Sequence, residues 1–469
     1  MNAPGIVWFR DDLRLADHAA LHAALETVHP ILPLFVLDDS KPWSYGGAAR
    51  WWLHHSLASL GRSLTDLGVP LVLRRGAAET VVPALAAEAG AAQVFTGGLA
   101  DPAARAADRA IAAALAARGV RFHRMRTTTL FGPDRIKTKT GGSYGVYTPF
   151  ARACLAETPP RPPLPAPDRL PPLPSVPSDR LEDWHLLPSR PDWAGGLRAT
   201  WTPGERGAAA RLDRFLSGPI KHYATARDRP DSETTSMLSP HLRFGEISAA
   251  QVFHAAREWG GGGGGGKFVG ELLWREFSHD LLWHHPSLPD TPLRETFAAM
   301  PWRDDPAGLD AWQRGRTGVP IVDAGMRQLW QTGWMHNRVR MIVASFLVKH
   351  LLIDWRLGSA WFWDTLVDAD LANNAASWQW VAGCGADAAP FFRIFNPVLQ
   401  GQKFDPEGTY VRRFVPELRD MPTRHIHAPW EAGGPPPIVG LAEGRARALA
   451  AFAHIRGVTP LHADMGGAT

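Results

Sequence analysis

The sequence contains few cysteines and no long apolar run. Its 469 residues include two cysteines, Cys154 and Cys384, which exclude a disulfide framework and a cysteine-rich zinc site. The longest apolar candidate, residues 341–348, ends at Lys349 and His350, far short of the roughly 20 apolar residues that a membrane helix needs. The first residues show no basic segment followed by an apolar one. We therefore expect no secretory signal, no membrane association and a reducing, cytoplasmic location.

The chain also has a small net charge and few tyrosines. Lys and Arg total 50 against 46 Asp and Glu, a formal net charge of +4, so a polyanion must bind a local basic patch. With 45% hydrophobic and 20% charged residues, the chain has the balance of a soluble globular protein. Five tyrosines stand beside 20 tryptophans, a surplus that a tryptophan-rich core explains most simply. The length fits two or three domains.

Short apolar runs alternate with longer helical patterns through the first 130 residues. The runs predict buried strands at 5–9, 31–37, 70–73, 93–96 and 120–123. The helical patterns between them are 16–28, 47–67, 77–88 and 102–118. Such alternation predicts a doubly wound α/β domain at residues 1–130, with a parallel sheet covered on both faces. No Gly-x-Gly-x-x-Gly follows the first strand, which argues against ordinary dinucleotide binding there.

A proline-rich stretch separates this domain from a different second half. Twelve prolines fall within the 33 residues from Pro159 to Pro191, so residues 131–204 are predicted to be an extended connector. Residues 205–469 are predicted to form a mostly α-helical domain. Its helical patterns are 208–216, 248–259, 267–284, 320–332, 337–355 and 360–366. Seven glycines at 260–266 are predicted to form a flexible loop between two helices.

Two features that could indicate catalysis have simpler interpretations. Residues 141–145 fit the nucleophile-elbow pattern around Ser143, but the polar residues 137–140 before them are no buried strand. A polar turn is therefore favoured over a serine hydrolase. The 19 histidines include the neighbours His54 and His55, yet no Asp, Glu or Cys stands at metal spacing, so we predict no metal site.

The residues that carry chemistry are concentrated in four segments of the helical half. Glu271, Trp274 and Arg275 share one helix face; alone, this spacing favours an ordinary i, i+4 ion pair beside a packed tryptophan. Residues 333–341 place an amide, two arginines and a thioether before a buried helix. Residues 368–374 are followed by Trp378 and Trp380, which project about 200° apart on one helix. The hydroxyls in 235–239 could cap a helix or bind a phosphate.

Together, these segments resemble the photolyase/cryptochrome family in order and spacing, and the resemblance spans the chain from Trp8 to Leu418. The motifs at 334–338 and 378–380 resemble the class I and class III cyclobutane pyrimidine dimer photolyases in particular. In this family the α/β half carries an antenna chromophore, and the helical half is an FAD-binding domain beneath a cavity for the DNA lesion. The resemblance implies a light-driven lyase that repairs pyrimidine dimers in UV-damaged DNA by electron transfer from excited FADH⁻ to a flipped-out dimer.

The resemblance also implies which residues bind FAD. They are Tyr223, Thr235, Ser236, Met237, Leu238, Ser239, Arg340, Asp368, Ala369, Asp370 and Asn374. Arg340 is the implied salt-bridge partner of Asp368, and Asn374 is implied to lie opposite the flavin N5. An amide oxygen there can accept a hydrogen bond from N5–H of a reduced flavin. Plant cryptochromes carry aspartate at this place, so Asn374 favours a repair enzyme that holds FADH⁻.

By the same resemblance, the lesion cavity is formed by Glu271, Trp274, Asn337, Met341 and Trp380, next to Asn374. A dimer inside the duplex cannot reach a flavin and must be flipped out, as photolyases are known to do. The two indoles would be flat apolar walls, while Glu271 and Asn337 would hydrogen-bond the base edges. The implied DNA-binding residues are Arg227, Glu271, Trp274, Arg275, Asn337, Arg338, Arg393 and Gln400.

Electron transfer and light harvesting complete the implied machinery. Trp302, Trp355 and Trp378 match the family's electron-hopping triad, although without the resemblance each is a core residue. Residues 50–57 resemble the plant-cryptochrome and class III pattern, which is associated with 5,10-methenyltetrahydrofolate. Ala103 and Ala104 stand where folate-binding class I members carry Asn and Glu. Folate in a rearranged site is therefore the first choice, and an empty site or a deazaflavin remains open.

Three other functions account for part of these features. A blue-light photoreceptor (cryptochrome) that uses FAD without repair accounts for the flavin and the tryptophan triad but not for the lesion-binding set. A (6-4) photolyase is disfavoured because Asn337 and Met341 stand where that branch places its catalytic histidine region. A nucleic-acid-binding module without catalysis would need neither Asn374 nor Asp370. We expect the protein to act as a monomer.

Overall fold

The computed structural model describes residues 3–27, 30–133, 135–171, 176–259, 262–388 and 392–457. Its strands are β1 (Gly5–Phe9), β2 (Ile31–Leu37), β3 (Val72–Arg75), β4 (Gln93–Gly97) and β5 (Arg121–Met125). They form one parallel sheet in the order β3-β2-β1-β4-β5. Every residue of β1 and β2 is buried, as in a sheet that helices cover on both faces. The predicted doubly wound α/β fold is confirmed.

Four helices cover this sheet. They are α1 (Ala19–Thr27), α2 (Gly47–Asp66), α3 (Ala78–Glu88) and α4 (Pro102–Ala116). The predicted bounds of strands and helices agree with the observed ones within about three residues, the usual uncertainty of helix and strand ends. Helix α4 begins where the sequence chemistry requires, because the Asp101 side chain accepts the Ala104 N–H at 2.7 Å and Pro102 occupies the first helical position.

The described residues that follow the sheet are mainly helical, which confirms the predicted second domain class. The helices are α5 (Tyr147–Ala156), α6 (Gly195–Thr200), α7 (Glu205–Ser217), α8 (Tyr223–Ala226), α9 (Ser239–Arg243), α10 (Ala249–Glu258), α11 (Gly262–His284), α12 (Pro306–Gln313), α13 (Pro320–Thr332), α14 (Asn337–Ser345), α15 (Trp355–Thr365), α16 (Leu371–Ala382), α17 (Pro397–Phe404), α18 (Thr409–Phe414) and α19 (Leu441–Gly457).

Two predictions about this half need correction. The predicted loop at 260–266 is mostly helix, because α11 begins at Gly262; residues 260 and 261 lie outside the described residues. A Cβ at Gly264 would lie 1.9 Å from the Ile220 carbonyl oxygen and one at Gly265 would lie 2.7 Å from the Ala256 carbonyl oxygen, so these two glycines permit close packing. The predicted helix 337–355 is also interrupted. A π-helix (Phe346–Leu351) ends at Leu352, whose φ of +56° turns the chain before α15.

The connector is only partly extended. It contains α5 and α6, and Asp17 next to α1 accepts the backbone N–H of Leu164 at 3.1 Å. The predicted domain boundaries, 1–130, 131–204 and 205–469, stay predictions.

Helix α9 and the turn after it join the sheet to the helical half. The Arg243 guanidinium lies 2.8 Å from Oδ1 of Asp11, which follows β1, and its Nε donates to the Ala369 carbonyl oxygen at 2.6 Å. In the same turn, the Glu246 carboxylate accepts the Trp52 Nε1–H at 2.9 Å and lies 2.5 Å from Nδ1 of His241. Buried charges are retained where they are paired in this way.

None of the helices in the described ranges has both the length and the apolarity to cross a membrane. Over the same ranges, no group of three or more His, Cys, Asp or Glu side chains could hold a metal ion.

The hydrogen bond between Trp52 and Glu246 gives a test of how strongly the two halves are joined. Trp51 is its matched control, because both indoles are at most 1% exposed and the Trp51 Nε1 has no partner among the described residues. Trp52→Phe leaves a buried carboxylate oxygen without its donor, so it should lower the free energy of unfolding by about 1–3 kcal/mol more than Trp51→Phe does. Urea unfolding of both variants checks this; equal losses would contradict it.

Candidate active site

An acidic loop precedes α16 and is paired with α14. Arg340 Nη2 lies 2.8 Å from Oδ2 of Asp368, so the predicted salt bridge is confirmed. Its Nε donates to the Met335 carbonyl oxygen at 2.7 Å, which fixes the guanidinium. The other Asp368 oxygen, Oδ1, is buried and has no hydrogen-bond partner among the described residues. A buried acceptor in this state needs a donor from outside the described residues, such as water or a bound molecule.

Asn374 lies in the first turn of α16 with its amide orientation fixed. Its Nδ2 donates to the carbonyl oxygen of Ser359 at 3.1 Å and to the Ser359 Oγ at 3.0 Å. Both donor hydrogens are therefore directed to α15, and the amide oxygen is left as the acceptor. A ligand with an N–H group fits this arrangement.

Asp370 caps α16 and is held ionised. Its Oδ1 accepts the Asn373 N–H at 2.8 Å, and its Oδ2 lies 3.4 Å from Nε2 of His279. Burial would raise the pKa of Asp370, but His279, Arg275 and Arg243 outweigh burial and hold it below its usual range.

Arg275 is bonded within the protein. Its Nη1 donates to the Thr128 carbonyl oxygen at 2.7 Å and lies 3.8 Å from Oε1 of Glu276. The guanidinium therefore joins α11 to the chain that follows β5, and 13% of the side chain is exposed. The DNA contact of Arg275 stays a prediction.

Residues 235–239 form a tight turn that leads into α9. Met237 has a φ of +52°, and Leu238 returns to the right-handed region. Alternating conformations of this kind direct successive N–H groups to one side and can bind anions. The half-buried Thr235 and Ser236 precede them, and the exposed Ser239 accepts the Trp334 Nε1–H at 3.1 Å. A non-glycine residue in the left-handed region costs about 1–3 kcal/mol, and a simple helix cap would not need this conformation. The turn is therefore better explained as a phosphate site than as a helix cap.

Glu271 has a different partner from the one that its spacing alone indicates. Its carboxylate forms an ion pair with Arg227, whereas Arg275 bonds elsewhere. The simple i, i+4 pair within α11 is therefore excluded. The Arg227 guanidinium also lies 5.6 Å from the ring centre of Tyr223, which is buried.

The indoles of Trp274 and Trp380 are both only partly buried. Trp274 stacks on Tyr147, with ring centres 3.7 Å apart and planes inclined by 8°. Trp380 donates from Nε1 to the Asp387 carbonyl oxygen at 3.1 Å, and the Arg393 guanidinium lies 5.8 Å from its ring centre.

Helix α14 presents polar and apolar groups in its first turns. Asn337 is exposed at its start, and Met341 follows one turn later, half-buried. Arg338 forms a 2.9 Å ion pair with Asp228 and lies 4.5 Å from the Phe404 ring centre. Arg338 must therefore exchange or share this partner if it binds DNA. Gln400 is half-buried in α17.

The predicted opposite placement of the tryptophans on α16 is confirmed, since Trp378 is 2% exposed in the core whereas Trp380 is partly exposed. The Trp378 ring contacts Phe362 at 5.0 Å and Trp312 at 6.2 Å between centres. Of the three predicted triad members, Trp355 is as buried as Trp378 and Trp302 is partly exposed.

Several site residues were missed from the sequence. Tyr147, Arg243, His279 and Asp387 contact the predicted residues, but each lies in a different segment, and no local spacing relates them. The one sequence feature near any of them is the glycine-containing turn at 141–145, shortly before Tyr147, and it indicated only an ordinary turn.

A second cleft lies between the sheet and the helical half. Its cavity volume is about 180 Å³, and it lies at the carboxyl ends of β1, β2 and β4, where ligands bind in doubly wound folds. Its wall includes three indoles, Trp8, Trp43 and Trp363, and it also includes Ala104 and Asp370. The cleft and the acidic loop before α16 therefore share a wall.

Comparisons with known proteins agree with this architecture. The family model for the FAD binding domain of DNA photolyase matches residues 268–454, and the DNA photolyase model matches residues 5–168. The deoxyribodipyrimidine photo-lyase of Agrobacterium fabrum is 50% identical and covers 97% of this chain and 99% of its own. Cryptochrome-1 of Arabidopsis thaliana is 38% identical over 94% of this chain and 69% of its own.

Solved structures give the same result. A bacterial class III photolyase from Agrobacterium tumefaciens superimposes with a TM-score of 0.94 at 50% identity, covering 98% of both chains. An archaeal photolyase from Sulfolobus tokodaii, described with two FAD molecules, gives 0.82 at 29% identity, covering 96% of this chain and 100% of its own. An α/β domain on a helical FAD-binding domain defines a two-domain flavoprotein. The chain belongs to the photolyase/cryptochrome family.

His336 supports the start of α14 and should make stability depend on pH. Its Nδ1 accepts the Arg338 N–H at 3.2 Å, and burial lowers its pKa to about 4. Between pH 6.5 and 4 the unfolded chain binds a proton here that the folded chain does not, so stability falls as the pH falls. His336→Asn keeps a capping acceptor and removes the titration. It should reduce the acid loss in this window by up to about 3 kcal/mol.

Urea unfolding of wild type and variant at pH 7 and pH 4.5 measures this difference. His222→Asn, at an exposed histidine, is the control. An unchanged acid loss in His336→Asn would contradict the role of His336.

Proposed function

We propose that this protein is a deoxyribodipyrimidine photolyase, a light-driven lyase that repairs cyclobutane pyrimidine dimers in UV-damaged DNA. Relatives with that name match nearly the whole chain, and the relative named cryptochrome is less similar. The observation that carries the proposal is the Asn374 amide, whose oxygen Ser359 leaves free as an acceptor. Neutral asparagine at this position fits a site for a reduced, anionic flavin.

The described residues fit FAD. Asp368 Oδ1 lacks a donor, the turn 235–239 presents backbone N–H groups to a pyrophosphate, and Arg340 holds the acidic loop. We assign FAD binding to the residues named from the sequence: Tyr223, Thr235, Ser236, Met237, Leu238, Ser239, Arg340, Asp368, Ala369, Asp370 and Asn374. When bound and reduced, FAD supplies the electron that opens the dimer after light absorption, with no net redox change.

The protein's contribution is to bind, orient and exclude water. Trp274 and Trp380 would be the apolar walls for the dimer, Glu271 and Asn337 would bind the base edges, and Met341 would be part of the same cavity. Arg227 holds the Glu271 carboxylate in place. Asn374 accepts a hydrogen bond at the flavin N5.

For photoreduction, we assign electron transfer to Trp378, Trp355 and Trp302. Trp378 and Trp355 are both 2% exposed and Trp302 is partly exposed, so Trp302 is the member that would pass a hole to solvent.

The second cleft is the proposed antenna site, and 5,10-methenyltetrahydrofolate is the first candidate. The cleft has indole surfaces for a flat ring system, and the buried Trp8 Nε1 and Arg10 Nε have no hydrogen-bond partner among the described residues. Free donors of this kind fit the carbonyl and ring acceptors of a pteridine or a deazaflavin. Mass spectrometry of released chromophores distinguishes the two.

The proposed DNA contacts are Arg227, Glu271, Trp274, Arg275, Asn337, Arg338, Arg393 and Gln400. The monomeric state and the cytoplasmic location remain predictions from the sequence.

A repair assay tests the function directly. The purified protein, reduced and illuminated, should convert a duplex with one thymine dimer to undamaged DNA, and the same mixture in the dark should not. Chromatography of the digested DNA measures the dimer content. Light-dependent FAD chemistry with unchanged dimer content would favour the photoreceptor instead.

Asn374→Asp tests the role of the amide. Aspartate would either add a negative charge or, when protonated, donate where asparagine accepts. Either change opposes a reduced, anionic flavin, so repair per absorbed photon should fall about tenfold or more. The absorption spectrum of the bound FAD should also change under reducing conditions, while FAD content stays that of the wild type. Wild-type repair by this variant would contradict the assignment.

A further inference from the structure

The tyrosine that follows the glycine turn of the connector contacts the proposed lesion cavity. The Tyr147 ring covers one face of the Trp274 indole, with centres 3.7 Å apart and planes nearly parallel at 8°. Its hydroxyl donates to the Gly270 carbonyl oxygen at 2.7 Å, one helical turn before Trp274 on α11. The tyrosine is thus anchored to the same helix as the indole it covers. The indole itself is only partly buried.

The same turn is bonded to the second indole through Asp387. The Asp387 N–H donates to the Gly145 carbonyl oxygen at 3.1 Å, and the Asp387 carbonyl oxygen accepts the Trp380 Nε1–H at 3.1 Å. Asp387 adopts a φ of +52°, a conformation that aspartate tolerates better than most residues. Burial raises the pKa of its carboxyl group, and the Tyr147 backbone N–H that faces the group offsets part of the rise.

These contacts form a continuous path between the two walls: Trp274, Tyr147, Gly145, Asp387 and Trp380. It consists of one ring stack, the backbone of residues 145–147 and of Asp387, and two hydrogen bonds. The two tryptophans lie on different helices, α11 and α16, so the path is an additional restraint on their separation.

We propose that Tyr147 and Asp387 are positioning residues that hold the two indole walls at a fixed separation, and that this rigidity selects covalently joined pyrimidines over two unlinked bases. The inference rests on the proposed function, in which Trp274 and Trp380 bind the dimer. A pyrimidine dimer is one rigid body of fixed width. Two unlinked bases must lose independent motion to fill the same space, so a rigid cavity binds them less well.

The test compares variants at Tyr147 in the full-length protein. Tyr147→Leu retains apolar volume but removes the parallel ring, whereas Tyr147→Phe keeps the ring and loses only the hydroxyl bond. Tyr144→Ala is the matched control in the same turn, because Tyr144 packs edge-on against Phe150 at 6.0 Å and its hydroxyl bonds to Lys137. Asp387→Asn retains the backbone hydrogen bonds and tolerates the left-handed conformation.

The measured quantities are dissociation constants for a duplex with one thymine dimer and for the same duplex undamaged. Tyr147→Leu should weaken binding of the damaged duplex about tenfold and change binding of the undamaged one by less than about twofold. Tyr147→Phe, Asp387→Asn and Tyr144→Ala should all stay within about threefold of the wild-type ratio. The absorbance of bound FAD verifies folding; if Tyr147→Leu loses FAD, Tyr147→His takes its place.

An unchanged ratio in Tyr147→Leu, or equal weakening for both duplexes, would overturn the inference. The proposed function fails separately, if the wild-type protein neither prefers nor repairs the damaged duplex.

Discussion

The acidic loop before α16 is joined to the sheet by one buried guanidinium. Arg243 pairs with Asp11 at the end of β1 and donates to Ala369 in the acidic loop. Burial alone would lower its pKa, but Asp11, Tyr45 and Asp370 more than compensate, so the group stays charged. Breaking a buried ion pair of this kind costs about 3–5 kcal/mol. Docking of the sheet domain therefore adds to the restraint that Arg340 places on the same loop.

The surplus of tryptophan has a structural explanation as well as a functional one. Several indoles reach across the chain with their single donor: Trp52 to Glu246, Trp201 to Thr332, Trp312 to Val343, Trp363 to Ser44 and Trp380 to Asp387. An indole supplies a large apolar surface and one directional bond, so it both packs and fixes an orientation. A tryptophan-rich core is thus correct for most of these residues, and the proposed lesion cavity uses two whose rings stay partly exposed.

The fold could be predicted because its signals are local. The spacing of the apolar residues distinguishes strands from helices, and capping residues mark where an element begins, as Asp101 and Pro102 do for α4. The failures were tertiary. The glycines of α11 resemble a linker in sequence, and only the approach of Ile220 shows why small residues stand there. In the same way, the spacing of Glu271 and Arg275 indicates an ion pair. In the structure, Glu271 pairs with Arg227 and Arg275 bonds to Thr128. A site whose members come from distant segments cannot be assembled from spacing alone.

The electrostatics of the acidic loop also explain why residue 374 should be an amide. Asp368 and Asp370 already place two carboxylates before α16, and each has its own cationic neighbours: Arg340 for the first, His279 and Arg243 for the second. Ser359 offers residue 374 only a hydroxyl and a carbonyl oxygen, and neither compensates a negative charge. A carboxyl group here would have two unfavourable states. If ionised, it would have no cation to compensate its charge; if protonated, it would direct its O–H to an acceptor. Asparagine avoids both outcomes, because Ser359 takes its N–H groups and its oxygen remains free for an N–H of the ligand.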